Sequence, residues 1–173
     1  MNRALIVLLP AALLMSACLG MPKAGSTKNS QSSSADTTGS SYAAAVAKLT
    51  DACPLMPADF VQKLVPGASA PEKERYPLRC TVRNDKSALE ITFDTGPDEP
   101  VKGADFIAGL AKGGYLERLD PVSRGDVYLT VILGKDDIGT NHNLHVEVAG
   151  HDGQDHKADA IDVARAVLGK LAG

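Results

Sequence analysis

The residues best suited to chemistry in this chain are three cysteines, Cys18, Cys53 and Cys80. A thiol can act as a nucleophile, bind a metal, form a disulfide or carry a covalent lipid. Cys18 directly follows the small residues Ser16 and Ala17 at the end of an apolar run. The other two cysteines are far apart in sequence, and their surroundings contain neither a Cys-x-x-Cys pair nor a suitable histidine spacing for a metal or redox motif.

A second set of chemically capable side chains lies in the C-terminal third of the chain. If a strand runs through this segment, His145, Glu147 and His151 lie on its outward face, because side chains two apart point to the same side. These groups could bind a metal ion, with Asp136 and Asp137 of the preceding loop as further ligands. No HExxH or comparable signature is present. We therefore favour the alternative, a solvated polar face of a half-exposed sheet.

Signatures of hydrolases and of phosphate-binding loops are missing from the sequence. There is no Gly-x-Ser-x-Gly nucleophile elbow, and Gly113-Gly114 is better interpreted as a helix stop than as a phosphate loop. The chain is acidic, with 18 basic and 21 acidic residues, and has no basic block and no Trp. Nucleic acid is therefore not an expected partner. We expect neither enzyme activity nor a cofactor.

The N-terminal segment has the organisation of an export signal. Arg3 is followed by an apolar run over residues 4–15, which is shorter than the roughly 20 apolar residues of a spanning helix. Met15-Ser16-Ala17-Cys18 resembles the lipobox of bacterial lipoproteins, with Met15 where Leu is usual. The resemblance implies cleavage before Cys18, a diacylglyceryl thioether on its sulfur and acylation of the new amino group. The alternative is an ordinary secreted protein whose signal happens to contain a cysteine.

The chain therefore divides into a signal peptide over residues 1–17, a lipidated Cys18 with a tether up to residue 41, and one domain over residues 42–173. The tether is rich in Ser, Thr and Gly and is expected to be disordered, because it cannot bury enough apolar surface to offset its ordering entropy. The resemblance places the mature protein on the extracytoplasmic face of the cell membrane, attached through the lipid on Cys18.

With Cys18 assigned to lipid, Cys53 and Cys80 remain as a pair. Outside the cytoplasmic membrane such a pair most simply forms a disulfide. The alternative is a reactive or metal-binding pair.

Hydrophobic periodicity in the domain predicts an α+β fold, with a mainly antiparallel sheet of about four to five strands and helices packed on one face. Helices are predicted over residues 41–49, 57–65, 103–111 and 157–171. Strands are predicted over residues 76–83, 89–93, 115–119, 126–134 and 143–150. Residues 68–73 and 135–142 are expected to be loops. The aromatic residues are spread one per element, which predicts core positions for Tyr42, Phe60, Tyr76, Phe93, Phe106, Tyr115 and Tyr128.

Several local motifs together resemble a family of small actinobacterial lipoproteins, found in mycobacteria and streptomycetes, that carry a domain of unknown function. The motifs are Asp51-Ala52-Cys53-Pro54-Leu55, the helix from Pro57 ending at Pro66-Gly67, the strand cysteine Cys80, and Val122 to Tyr128. The resemblance covers most of residues 50–173 and implies the same fold and disulfide, but no catalytic residues. A more distant likeness to extracellular sensor domains of mycobacterial receptor kinases implies sensing or binding.

These observations predict a membrane-anchored lipoprotein whose domain binds a protein or a small ligand without catalysing a reaction. Two alternatives stay open. One is an extracytoplasmic metal-dependent enzyme that uses the region of His145 and Glu147. The other is a carrier of a small molecule or lipid, which would require an apolar cavity in the domain.

Overall fold

The strands form one antiparallel sheet in a computed structural model, which describes residues 41–97, 104–111, 113–118, 126–150 and 153–173. In chain order they are β1 (Glu72–Glu74), β2 (Leu78–Arg83), β3 (Ser87–Thr95), β4 (Asp105–Ile107), β5 (Gly113–Arg118), β6 (Val127–Lys135) and β7 (Asn141–Gly150). Their order in the sheet is β1-β2-β3-β7-β6-β5-β4. Five strands have six or more residues, and the two three-residue strands lie at the edges. The predicted signal, the tether up to residue 40 and residues 122–125 of the family motif lie outside the described residues.

The helices are α1 (residues 41–46), α2 (Ala58–Leu64) and α3 (Lys157–Ala172), with a 3-10 turn at Cys53–Leu55. Pro57 caps α2, where its fixed φ suits the entry to a helix. An acidic residue in the first turn and a basic residue in the last turn complement the dipole of both α2 and α3. No helix among the described residues is long and apolar enough to cross a membrane.

The core lies between one face of the sheet and the helices. Alternate residues of the central strands point into it because successive side chains in a strand face opposite sides. On β3, β6 and β7 these fully or almost fully buried residues are Leu89, Ile91, Phe93, Val127, Leu129, Val131, Leu133, Leu144, Val146 and Val148. Helix α3 contacts β6 and β7 and buries Ala160, Val163, Ala164, Val167 and Leu168. The predicted α+β class and the mainly antiparallel sheet are confirmed.

Two predicted elements are wrong. Residues 68–73 were expected to form a loop throughout, yet Glu72–Glu74 pairs with β2 as an edge strand. The predicted helix over residues 103–111 contains the strand β4, which pairs with β5 through a turn at Gly109 (φ 80°) and Ala111 (φ 47°). The spacing of Phe106, Ile107 and Leu110 fits one helical face, but pairing with the next strand decides the conformation. Leu110, predicted to face the core, is buried in the turn after β4.

Three aromatic residues and one loop also differ from the prediction. Tyr128 was expected in the core but is half-buried on the outward face of the sheet, where its ring stacks on His145. Tyr76 was predicted to begin a strand and to face the core, but β2 starts at Leu78 and Tyr76 is 84% exposed. Phe106 is 60% exposed because its strand lies at the sheet edge. The loop after β6 is shorter than predicted, since β6 extends to Lys135 and β7 begins at Asn141.

The predicted disulfide is confirmed. Cys53 and Cys80, 27 residues apart, are bonded and connect the 3-10 turn to the middle of β2.

Candidate functional site

The outward face of the sheet holds the histidine that the sequence singles out. The Nδ1 atom of His145 lies 3.0 Å from Thr130 Oγ1, and its Nε2 atom lies 3.0 Å from Asp94 Oδ1. The ring also stacks on Tyr128, with 5.2 Å between ring centroids. Nδ1 accepts from the threonine hydroxyl when Nε2 carries the proton, whereas Asp94 Oδ1 lies within ion-pair distance of Nε2 but accepts no hydrogen bond among the described residues. His145 is therefore positioned by its neighbours in the sheet, with Nδ1 hydrogen-bonded and Nε2 beside the Asp94 carboxylate.

Glu147 and Glu90 are direct cross-strand partners on the same face. Glu90 accepts hydrogen bonds from Thr81 Oγ1 (2.8 Å) and Thr92 Oγ1 (3.0 Å), and Arg79 lies 3.7 Å away. Burial raises the pKa of Glu147, and the negative charge of Glu90 raises it further. Glu90 thus has two hydrogen-bond donors and a nearby cation, whereas the charged form of Glu147 is destabilised.

The residues proposed as a metal set are only partly brought together. His145 and Glu147 share the outward face, as predicted, but Asp136 contacts a different histidine. His151 lies outside the described residues. Among the residues that the structure describes, no group of three or more His, Cys, Asp or Glu side chains is arranged to hold a metal ion.

Asp136 closes the turn between β6 and β7. Its Oδ1 atom accepts the backbone N–H groups of Ile138 (3.1 Å) and Thr140 (2.8 Å), and its Oδ2 atom lies 2.9 Å from Nε2 of the buried His142. The hydrogen bond from His142 is the largest of the contacts that lower the pKa of Asp136. This carboxylate is therefore used to shape a turn, which explains an acidic residue at the start of the loop.

A cavity of about 570 Å³ lies beside α1, at the end of the β2–β3 hairpin away from its turn. It is lined by residues 46–50 at and after the end of α1, by residues 75–77 before β2, by Leu78 and residues 93–95 of the hairpin, and by His142. Its apolar lining consists mainly of Val46, Leu49, Leu78 and Phe93, of which Val46 and Phe93 also belong to the buried core. The cavity is thus an open extension of the core toward solvent.

The polar lining of this cavity contains two cations and an aromatic ring, together with Asp94, His142 and two threonines. Lys48 is exposed, and the Arg75 guanidinium lies 5.5 Å from the ring centroid of the exposed Tyr76. Neither cation has a carboxylate partner among the residues described. Elsewhere on the described surface basic side chains commonly pair with carboxylates, as do Lys63, Lys73, Arg79, Arg83, Lys157 and Arg165.

The sequence does not predict this cavity. Lys48 and Arg75 lie 27 positions apart, on a helix end and in a loop, so no periodic pattern connects them. The one local signal is Arg75-Tyr76-Pro77 ahead of a strand, where a proline favours a strand start over a core position. This local pattern indicates that Tyr76 lies outside the hydrogen-bonded pairing of the strands.

Comparison with protein-family models, with curated proteins and with solved structures finds no match to this chain. The resemblance to actinobacterial lipoproteins stays a prediction from the sequence motifs.

Proposed function

We propose that this chain is an extracytoplasmic lipoprotein, held at the membrane by a lipid on Cys18, whose domain binds a small ligand without catalysing a reaction. The observation that carries the binding function is the cavity beside α1. Its volume of about 570 Å³ falls within the roughly 300–1,000 Å³ of small-molecule sites. It combines an apolar lining with a small number of polar groups, as such sites do.

The location is supported by the cysteines. A disulfide between Cys53 and Cys80 suits an oxidising compartment outside the cytoplasm. Cys18 is then the one cysteine without a disulfide role, and it follows two small residues at the end of an apolar run. Two or three acyl chains on that residue would give stable attachment, whereas one chain is marginal.

The geometry favours the carrier alternative over the metal-dependent enzyme. On the outward face, Glu90 and the Nδ1 atom of His145 are hydrogen-bonded to neighbouring threonine side chains. At the cavity, by contrast, Lys48 and Arg75 have no carboxylate partner among the described residues. Charged groups left unpaired at the edge of an apolar cavity favour a ligand that pairs with them.

The anchor is tested by expressing the full chain in a bacterium with a lipoprotein pathway and feeding an alkyne-labelled fatty acid. We expect label on the wild-type chain and its recovery in the membrane fraction. Cys18→Ala should lose the label and be released, while the tether variant Ser30→Ala keeps both properties. Labelling of the Cys18→Ala chain, or its undiminished membrane association, would contradict the lipid anchor.

Binding is tested on the mature chain, residues 18–173 with Cys18→Ser, after its secretion into the cell envelope of its host and recovery from that fraction. Native mass spectrometry then detects any bound small molecule. We expect a small-molecule adduct that survives His145→Ala and is lost with Leu49→Glu in the cavity. An adduct that is lost with His145→Ala and kept with Leu49→Glu would move the site to the outward face. Absence of any adduct would count against a small-ligand function.

A further inference from the structure

We propose that the cavity beside α1 binds an anionic amphiphile, with a carboxylate or phosphate head between Lys48 and Arg75 and an apolar chain on Leu49, Leu78 and Phe93. This inference rests on the proposed binding function and assigns its ligand class. The argument has three steps: the apolar lining, the charge at its rim, and the position of the cavity in the chain.

The apolar lining continues the hydrophobic core. Phe93 is 3% exposed and Val46 6% exposed, so both are anchored in the core while bordering the cavity. Leu49 and Leu78 are half-buried and pack against the same core. A hydrocarbon chain of the ligand that packs on these side chains would remove their exposed apolar surface from water. Such burial stabilises a complex by about 25 cal/mol per Å² of apolar surface. The lining therefore selects for a ligand with an aliphatic or aromatic part.

The rim selects for a negative charge. Lys48 and Arg75 are the basic lining residues, and a guanidinium can bind a carboxylate or phosphate through two parallel hydrogen bonds. The Arg75 guanidinium lies 5.5 Å from the ring centroid of Tyr76, within cation–π range.

The other ionisable lining residues, Asp94 and His142, each lie within ion-pair distance of another ionisable group, but Asp94 Oδ1 accepts no hydrogen bond in the described part of the chain. Asp94 Oδ1 lies 3.0 Å from His145 Nε2, and His142 Nε2 lies 2.9 Å from Asp136 Oδ2. Lys48 and Arg75 therefore place two cations without a carboxylate partner among the described residues on one cavity, whereas Lys86 and Lys135, which also lack such a partner, lie elsewhere.

The cavity lies close to the residue at which the predicted tether joins the domain. Its lining begins at Val46, five residues after the first described residue of α1. At 1.5 Å per helical residue, the cavity starts within about 10 Å of that point in the chain. A lipid-anchored protein would therefore carry the cavity close to the attachment of its tether. Free fatty acid and membrane phospholipid share the required chemistry.

The test is isothermal titration of the mature chain, residues 18–173 with Cys18→Ser, with dodecanoate below its micelle concentration. We expect saturable binding that weakens at high salt. Dodecyltrimethylammonium, which has the same chain and the opposite charge, should not bind. Lys48→Gln and Arg75→Gln should each weaken dodecanoate binding about tenfold, as expected for loss of a charged hydrogen bond.

Lys86→Gln is the matched control, because it removes the same charge at the opposite end of the hairpin and should leave the affinity unchanged. Lys48→Arg should retain binding. Circular dichroism melting of each variant separates loss of the site from loss of the fold. Equal binding of both amphiphiles, or equal weakening by Lys86→Gln and Lys48→Gln, would overturn the inference.

Sedimentation with vesicles distinguishes the two sources of the ligand. If the head of a membrane lipid enters the cavity, phosphatidylglycerol vesicles should carry down the wild-type chain and the Lys86→Gln variant but not the Lys48→Gln variant. If the source is a free amphiphile, dodecanoate should bind while the vesicles do not. Absence of both interactions would overturn the ligand class, whereas the labelling of Cys18 and the native mass adduct test the proposed function separately.

Discussion

Cys53 and Cys80 form a disulfide that ties the 3-10 turn to the middle of β2. The same turn is held from the other side by α3, because Lys170 Nζ donates to the carbonyl oxygens of Pro54 (3.3 Å) and Met56 (3.0 Å). The turn is therefore the junction between the C-terminal helix and the sheet. Loss of either contact should loosen the packing of α3 over the core.

Replacing both Cys53 and Cys80 by Ala should lower the free energy of unfolding by about 3.5 kcal/mol, because the unfolded chain regains the entropy of a 27-residue loop. Guanidinium unfolding monitored by circular dichroism measures the change. In the native wild-type domain both cysteines should resist a thiol-reactive maleimide until a reductant is added. Rapid labelling without reductant would show that the bond is absent in solution.

Ile91→Ala should lower the free energy of unfolding by roughly 2–5 kcal/mol, because Ile91 is 0% exposed in the centre of the core. Ile138→Ala deletes the same atoms at a turn position that is 88% exposed. It should change stability by less than about 0.5 kcal/mol. Urea unfolding of the two variants compares a core and a surface isoleucine directly. Similar losses in both variants would be incompatible with this core.

Glu147→Gln should stabilise the domain at neutral pH, by less than about 1 kcal/mol after solvent screening. The pKa of Glu147 is raised in the folded state by burial and by the charge of Glu90. Its destabilising effect is absent below the ordinary glutamate pKa and complete above the raised folded pKa. The advantage of Glu147→Gln should therefore appear as pH rises through that interval.

Glu90→Gln provides the contrast, since Glu90 accepts two threonine hydrogen bonds and lies beside Arg79. This variant relieves the same repulsion but weakens those contacts, so it should not stabilise the domain as Glu147→Gln does. Thermal melting of both variants from pH 4 to pH 8 makes the comparison. A larger gain in stability for Glu90→Gln than for Glu147→Gln would show that Glu90, and not Glu147, is the destabilised carboxylate.

Asp136→Ala should open the β6–β7 turn, because it leaves the N–H groups of Ile138 and Thr140 without their acceptor. The pKa of Asp136 is lowered in the folded state, so its contribution is present above the ordinary aspartate pKa and is lost as pH falls through the lowered value. Hydrogen exchange at Thr140 measures the opening. Asp137→Ala, at the exposed neighbouring position, should leave that exchange rate unchanged.

Much of the fold follows from local pattern. Alternating side chains predict β2, β3, β6 and β7. The apolar stripe predicted for α3 contains the five residues that the helix buries, together with Ile161 and Leu171, which are half-buried. Two cysteines left over after the assignment of Cys18 predict the disulfide. These predictions succeed because a strand or helix of six or more residues packs one face against the core. Its apolar residues therefore recur with the period of the element.

The short edge elements could not be predicted in the same way. Three residues of β1 or β4 are too few to show a period, and their conformation depends on a neighbouring strand. Likewise, His145 and Glu147 were placed correctly on one face by their spacing, but their partners Asp94 and Glu90 belong to another strand. Sequence spacing cannot report those contacts.

The sequence by itself determined the alternation of faces, the acidic charge and the arrangement of cysteines from which an anchor and a disulfide are predicted. Only the tertiary structure decided which polar groups are paired and where a cavity opens. The physical reason is that periodicity records how a segment meets the core, whereas a binding site joins segments distant in the chain. Lys48 and Arg75 meet at one cavity only because β2, β3 and α1 pack there together.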